Sequence, residues 1–180
     1  MNGIPIGPMG KLVADLRGAV DALENLNFID STKISVLGYS LGATVGLYGA
    51  ALDKRIAGVV SVCGFTPMRT DTPEKGTEGI RAYSHLHGLL PRLGFFAGHE
   101  NRIPYDFNDI LATIAPRPLL VVAPVLDQDA TLEDVRSCVM EAKGAYQLYG
   151  ASENIQIDTP YDYNRFSETM QKNVLQWFKK

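Results

Sequence analysis

A serine between two glycines stands at a predicted junction of strand and helix. In Gly38-Tyr39-Ser40-Leu41-Gly42, Ser40 follows a short strand-like stretch, residues 33–38, and precedes residues 43–51, a helix-like stretch rich in alanine and glycine. A serine on such a sharp turn has its hydroxyl exposed above the sheet, where it can attack an acyl carbon. The sequence therefore predicts a nucleophile at Ser40. The alternative is a glycine-lined turn whose serine has no chemical role.

The same turn would supply part of an oxyanion hole. A strained turn needs small neighbours, and Gly38 and Gly42 provide them. The helix that follows would direct the backbone N–H of Leu41 toward the negative charge that forms on a carbonyl oxygen under attack. We therefore expect Leu41 to be an oxyanion donor and Tyr39 to contact the substrate.

Strand-like and helix-like segments alternate along the chain, which favours βαβ units and a parallel sheet. The hydrophobic periodicity predicts strands at residues 33–38, 56–62, 118–123 and 154–158. It predicts the main helices at residues 10–27, 43–51, 131–143 and 167–179, with Thr131 and Ser167 as N-caps. The predicted fold class is therefore α/β, with a parallel sheet of about four strands flanked by helices in a single domain, residues 1–180.

Residues 64–114 have no single hydrophobic period and contain several prolines and glycines, so we expect an excursion of short helices and loops above the sheet. This excursion would form a cap over the serine. Phe65 is the cap residue that we expect to contact the substrate, although the cap's apolar residues would equally well form a satellite core. Those residues are Phe65, Tyr83, Leu89, Leu90, Phe95 and Phe96.

Composition argues against several classes of function. The net charge is −3 and no basic cluster occurs, which disfavours nucleic-acid binding. No apolar run approaches the length of a membrane span, so no membrane partner is expected. Cys63 and Cys138 lack the spacing of zinc ligands, and we predict neither a metal nor a cofactor. The N-terminus lacks the features of a signal peptide, which leaves the compartment open.

Four stretches resemble the α/β-hydrolase superfamily, and within it the dienelactone-hydrolase and acetyl-xylan-esterase-like branch. They are residues 34–42, 52–57, 115–121 and 161–166. The resemblance implies a serine carboxylesterase that acts on a small ester or an acylated carbohydrate. It also implies the order serine, then an acid after a later strand, then a histidine just before the last helix.

The resemblance places the acid at Asp127, with Asp129 close behind in the same loop. Both carboxylates could instead solvate the loop or cap a helix, and for Asp129 this is the favoured interpretation. At the position expected for the histidine the chain has Asn164. Asparagine cannot accept a proton from serine at neutral pH, so the general base would be missing. The three histidines, any of which would have to reach Ser40 from above, all lie in the excursion. They are His85, His87 and His99.

The resemblance also implies a sheet of about eight strands in which the nucleophile follows the fifth. This chain therefore resembles an N-terminally truncated α/β-hydrolase fold. The strand before Ser40 would become a sheet edge with unpaired backbone groups, which is a template for pairing with another chain. We expect a homodimer that covers this edge by strand pairing or helix docking.

Three interpretations of function follow. The first is a serine ester hydrolase with Ser40 as nucleophile. The second is a catalytically impaired or non-catalytic α/β-hydrolase remnant that acts as a binding or assembly module. The third, weaker interpretation is a peptidase similar to prolyl oligopeptidase, which shares this half of the fold.

Overall fold

Four parallel strands form one sheet with the spatial order β1-β2-β3-β4. The computed structural model describes residues 7–75, 77, 79–86 and 88–179. The strands are β1 (Ser35–Tyr39), β2 (Gly58–Val62), β3 (Leu119–Val122) and β4 (Ile155–Asp158). All three pairings are parallel, and each strand neighbours the next one in sequence. The α/β fold class and the four-stranded parallel sheet are confirmed.

Six helices accompany the sheet: α1 (Pro8–Glu24), α2 (Leu41–Leu52), α3 (Gly79–Arg81), α4 (Phe107–Ile114), α5 (Leu132–Leu148) and α6 (Glu168–Trp177) in the described part of the chain. Short 3₁₀ turns cover Ser31–Lys33, Pro73–Lys75, Pro91–Phe96, Glu100–Arg102 and Ser152–Asn154, and a π-helical turn covers Ala82–Leu86. None of the described helices is long and apolar enough to cross a membrane.

The predicted ends of the helices differ from the observed ones, most of all at the C-terminus of α5. Helix α5 continues past Lys143 to Leu148, and Gly150 follows in a left-handed conformation with φ 67°. Thr131 and Ser167 occupy the predicted N-cap positions, but neither side chain makes a capping hydrogen bond. In α5, Asp134 instead forms an ion pair with Lys75 of the excursion.

The helices are distributed unequally over the two faces of the sheet. Helices α1, α2, α4 and α5 contribute to the main core, which includes Val59, Leu119 and Val121 of the strands. Alternate strand residues, Val60 and Leu120 among them, face the other way into a small cluster that α6 covers. The interior strands β2 and β3 are buried along their whole length because both of their faces are covered.

The predicted excursion contains a core helix. Residues 107–114 form α4, which packs between α2 and α5, so this part of the segment is not a cap. A capping box starts the helix: the Asp106 side chain accepts backbone N–H bonds, and Asp109 accepts the backbone N–H of Asp106. Phe107, Leu111 and Ile114 are fully buried. The sequence prediction missed this helix because it is short and lies among proline and glycine turns.

Arg117 holds the C-terminal end of α2 in place. Its guanidinium donates to the backbone oxygens of Ala50, Asp53 and Ile56 at 2.6 to 3.0 Å. Its Nε also donates to the carbonyl of Ile114. One half-buried cation therefore joins α2, the turn before β2 and the end of α4, which gives a structural role to one stretch that resembles the hydrolase superfamily.

We predict that Arg117→Met lowers the free energy of unfolding by about 2 to 3 kcal/mol, since it leaves carbonyl oxygens without a charged donor. Urea denaturation would measure the loss. The exposed Arg102→Met is the matched control and should change stability by less than about 0.5 kcal/mol. Equal losses in the two variants would contradict this role for Arg117.

Candidate active site

Ser40 lies on a strained turn between β1 and α2. Its backbone has φ 50° and ψ −123°, a conformation that residues with a side chain rarely adopt. The Ser40 N–H donates to the carbonyl of Val62 at 2.9 Å, and its own carbonyl accepts from the N–H groups of Ala43 and Thr44. The strand before the turn and the helix after it therefore both fix the serine, as a nucleophile elbow requires.

A close backbone approach explains one of the two glycines. A Cβ atom at Gly38 would lie 2.3 Å from the carbonyl carbon and oxygen of Gly42, so no side chain fits there. A Cβ atom at Gly42 would meet nothing within 4 Å among the described residues. The turn therefore requires a residue without a side chain at Gly38, as expected, but not at Gly42.

Leu41 begins α2, directly after Ser40. The first N–H groups of a helix have no intrahelical partner, and they carry the positive end of the helix dipole. Thr44, one turn further on, donates through its hydroxyl to the carbonyl of Gly64 at 2.5 Å and so joins this helix end to the loop after β2. The arrangement supplies one fixed donor beside Ser40.

A small cavity of about 80 Å3 lies beside Ser40. Residues from all the segments that follow β1, β2 and β3 contribute to its wall, together with part of the excursion. Its lining comprises Ser40, Leu41, Thr44, Cys63, Gly64, Phe65, Thr66, Ala82, Tyr83, Leu89, Asp127, Asp129, Ala130 and Asn164. The fold therefore brings the predicted nucleophile, acid and Asn164 to one site.

Asn164 bridges the two carboxylates of the acid loop. Its side-chain amide donates to Asp127 Oδ1 at 3.1 Å and to Asp129 Oδ2 at 2.9 Å. The Tyr39 hydroxyl donates to Asn164 Oδ1 at 2.9 Å and to the Asn164 backbone oxygen at 3.1 Å. Donors and acceptors on both sides fix the orientation of the amide, so Asn164 stands beside the acid as a hydrogen-bond donor.

Asp127 is half-buried, and burial raises the pKa of its carboxyl group. The N–H of Asp129 donates to Asp127 Oδ1 at 2.9 Å, and this hydrogen bond acts to lower the same pKa. The thiol of Cys63 also interacts with this carboxyl group, and burial raises the pKa of the thiol to about 12. Cys63 therefore stays protonated at neutral pH and is a donor. Like Ser40, it has a positive φ, 49°.

Backbone hydrogen bonds join the acid loop to the segment that carries Asn164. The N–H of Val125 donates to the carbonyl of Pro160 at 2.9 Å, and that of Leu126 to the carbonyl of Asp162 at 3.0 Å. The ring of Phe166 stacks on Tyr39 with centroids 6.4 Å apart. The position of Asn164 is thus fixed by main-chain contacts on one side and by β1 on the other.

The remaining predicted site residues have different surroundings. Phe65 lines the cavity, but its ring is buried and stacks on Phe107 at 4.6 Å, which is core packing. Tyr39 is not among the cavity's lining residues, and its hydroxyl orients Asn164. Substrate contact by either residue stays a prediction. Sequence reasoning missed the contacts of Tyr39 and Cys63 because only the folded chain brings them to the acid loop.

The histidines do not complete the site in the part of the chain that the structure describes. His85 exchanges a hydrogen bond with the Ser84 hydroxyl, at 2.7 Å, and does not line the cavity. His99 precedes the 3₁₀ turn Glu100–Arg102 and is also absent from the cavity wall. His87 lies outside the described residues.

A profile of the family described as "Glucuronyl esterase, fungi" matches residues 16–150, three quarters of the chain and the whole elbow. The chain belongs to the glucuronyl esterase family. This confirms the resemblance to the α/β-hydrolase superfamily. Within the superfamily, the matching family is the glucuronyl esterases, whereas the sequence resemblance indicated the dienelactone-hydrolase and acetyl-xylan-esterase-like branch.

One relative and two solved structures are similar to this chain. A carbohydrate esterase from an unknown prokaryotic organism is 29% identical over 133 residues, which are 73% of this chain and 30% of that protein. The glucuronoyl esterase of Solibacter usitatus superposes with a TM-score of 0.84 at 17% identity, over 99% of this chain and 50% of that one. For the catalytic domain from Hypocrea jecorina the TM-score is 0.77 at 23% identity, over 93% and 50%. The chain of this glucuronyl esterase family member thus spans about half the length of these structures.

The two glycines of the elbow give a matched test. We predict that Gly38→Ala lowers the free energy of unfolding by more than about 2 kcal/mol, because the added carbon would overlap the Gly42 backbone. Gly42→Ala should be neutral or stabilise by up to about 1 kcal/mol, since it adds a helix-favouring residue in open space. Chemical denaturation of both variants measures the difference. Similar stabilities would contradict the close approach at Gly38.

Proposed function

We propose that this chain carries the nucleophile side of a carbohydrate ester hydrolase in which Ser40 is acylated during the reaction. The observation that carries the proposal is the strained elbow at Ser40, with the Leu41 N–H at the start of α2 beside it. The family membership supports it, and the cavity beside Ser40 brings polar and apolar side chains together next to the serine.

The family name and the relative named as a carbohydrate esterase suggest the substrate class. We propose an ester of a carbohydrate acid such as a glucuronyl ester, or an acylated carbohydrate. The Ser40 oxygen attacks the ester carbonyl, the Leu41 N–H stabilises the oxyanion, and the alcohol leaves. Water then hydrolyses the acyl-serine and releases the acid.

A second candidate is supported by Asn164. Its amide donates to both carboxylates, so it cannot receive the serine proton in place of a histidine. This favours the impaired or non-catalytic remnant as the alternative, in which the elbow serves binding or assembly. The two candidates differ in whether Ser40 reacts at all.

Covalent labelling separates the two candidates. We predict that a fluorophosphonate probe labels the wild-type chain and that p-nitrophenyl acetate is hydrolysed faster than background, whereas Ser40→Ala loses both. The exposed Ser35→Ala, on strand β1 before the elbow, is the matched control and should behave like wild type. Intact-mass spectrometry identifies the adduct. Equal background rates for wild type and Ser40→Ala would support the remnant.

We also propose that a second copy of the chain covers β1. In the described residues β1 pairs with β2 alone, so its other edge has free backbone groups. Three large apolar side chains beside this edge are about two fifths exposed: Leu37 at 41%, Tyr39 at 40% and Leu41 at 44%. An antiparallel pairing of two β1 strands would close this edge with two-fold symmetry.

Leu37→Lys tests the dimer, because lysine on an edge strand opposes pairing with another chain. We predict a dimer for wild type and a monomer for Leu37→Lys in size-exclusion chromatography with light scattering. Leu52→Lys, at the exposed end of α2, should remain dimeric. A monodisperse wild-type monomer would contradict the proposal.

A further inference from the structure

We propose that the carboxylate of Asp129 takes the place of the missing imidazole and accepts the Ser40 proton through a water molecule in the cavity. This inference rests on the proposed function, since it concerns how the same serine is activated. It is carried by the position of Asn164, which holds two carboxylates at the wall of the cavity that Ser40 also lines.

The two carboxylates differ in the number of hydrogen-bond donors that contact them. Asp127 Oδ1 accepts from the Asn164 amide and from the Asp129 backbone N–H, and the Cys63 thiol approaches the same group. Asp129 is exposed, and its Oδ2 accepts from Asn164. Among the described side chains, none donates to Asp129 Oδ1. Asp129 Oδ1 is therefore open to a water molecule, whereas Asp127 is held in place by the donors around it.

The cavity has room and partners for a water molecule. A bound water needs roughly 10 to 15 Å3 of accessible space and two or more polar partners. The cavity of about 80 Å3 provides the space, and Ser40, Asp129 and Thr66 are polar residues on its wall. Ser40 and Asp129 line the same cavity, so the proposed proton transfer between them runs through a water molecule bound there.

The titratable and charged groups that face Asp129 come from several segments. Asp127 lies in the same loop, and Tyr83 of the excursion lines the same cavity. Burial raises the pKa of both Tyr39 on β1 and Cys63 after β2, so these two groups are neutral at pH 7. Arg165, next to Asn164, pairs with Asp162. Among the described residues, no cation lines the cavity.

The proton transfers balance over the two steps. As the Ser40 oxygen forms its bond to the carbonyl carbon, its proton passes to the water, and that water gives a proton to Asp129. When the carbon–oxygen bond to the alcohol breaks, Asp129 returns the proton through the water to the leaving oxygen. In deacylation the attacking water loses a proton to Asp129. Asp129 then returns this proton to the Ser40 oxygen as the acyl group departs.

The experiment measures fluorophosphonate labelling of Ser40, and p-nitrophenyl acetate hydrolysis, between pH 4 and 9. The midpoint of the fall in activity at acid pH should lie below the value of about 6.5 that an imidazole base would give, because the proposed base is a carboxylate. Asp129→Asn should reduce both rates by about 10²-fold or more, the usual cost of losing a general base. Glu133→Gln, an exposed carboxylate nearby on α5, should leave both rates unchanged.

Asn164→His adds a second readout, because an imidazole at this position is the group that the fold would otherwise use. The midpoint should move up toward 6.5, and Asp129→Asn in that background should cost less than threefold. Unfolding free energies of all variants, measured in urea, separate loss of reactivity from loss of folding.

Three results would overturn the inference. A wild-type midpoint near 6.5, or an Asp129→Asn variant within threefold of wild type, would exclude the carboxylate as the base while leaving Ser40 as a nucleophile. Absence of any Ser40 labelling and hydrolysis across the pH range would overturn the proposed function itself, and this inference with it.

Discussion

The close contact between Gly38 and the Gly42 backbone is the constraint on which the site depends. It lets the chain reverse at Ser40 with φ 50°, and the hydrogen bond from Ser40 N–H to Val62 holds that conformation against β2. Backbone strain of about 1 to 3 kcal/mol persists only where the surrounding structure over-determines it. Here a strand, a neighbouring strand and a helix all fix one residue, which places its hydroxyl at the carboxyl edge of the sheet.

The second half of the site is arranged around an amide where a histidine is expected. Asn164 keeps the contact to the acid, because its N–H group donates to Asp127 as an imidazole N–H would. It loses the proton acceptor on the other side, where its oxygen instead accepts from Tyr39. The structure thus retains the geometry of an acid and its partner without the chemistry of a base. This is why activation of Ser40, rather than its position, is the question that the proposed function raises.

The edge of the sheet bears on both assembly and activity. The chain spans about half the length of the solved glucuronoyl esterases that it resembles. Strands β2 and β3 are buried on both faces, whereas Leu37 on β1 and Leu41 at the start of α2 are partly exposed next to Ser40. In the described residues β1 pairs with β2 alone, so a strand that paired with its other edge would also lie beside Ser40. The fold therefore places this edge of the sheet next to Ser40.

The resemblance to the hydrolase superfamily indicated the acid loop after β3, whereas the sequence by itself determined the local features, which are the elbow at Ser40 and the alternation of strands and helices. These depend on residue spacing and on glycine at a position where a side chain cannot fit, which are properties of short segments. Only the tertiary structure decided that α4 belongs to the core, that Tyr39 orients Asn164, and that Asn164 bridges Asp127 and Asp129. Those contacts join residues that are 35 to 125 positions apart in the chain. Their geometry depends on how the strands are ordered and how the loops are anchored, and no local periodicity contains that information.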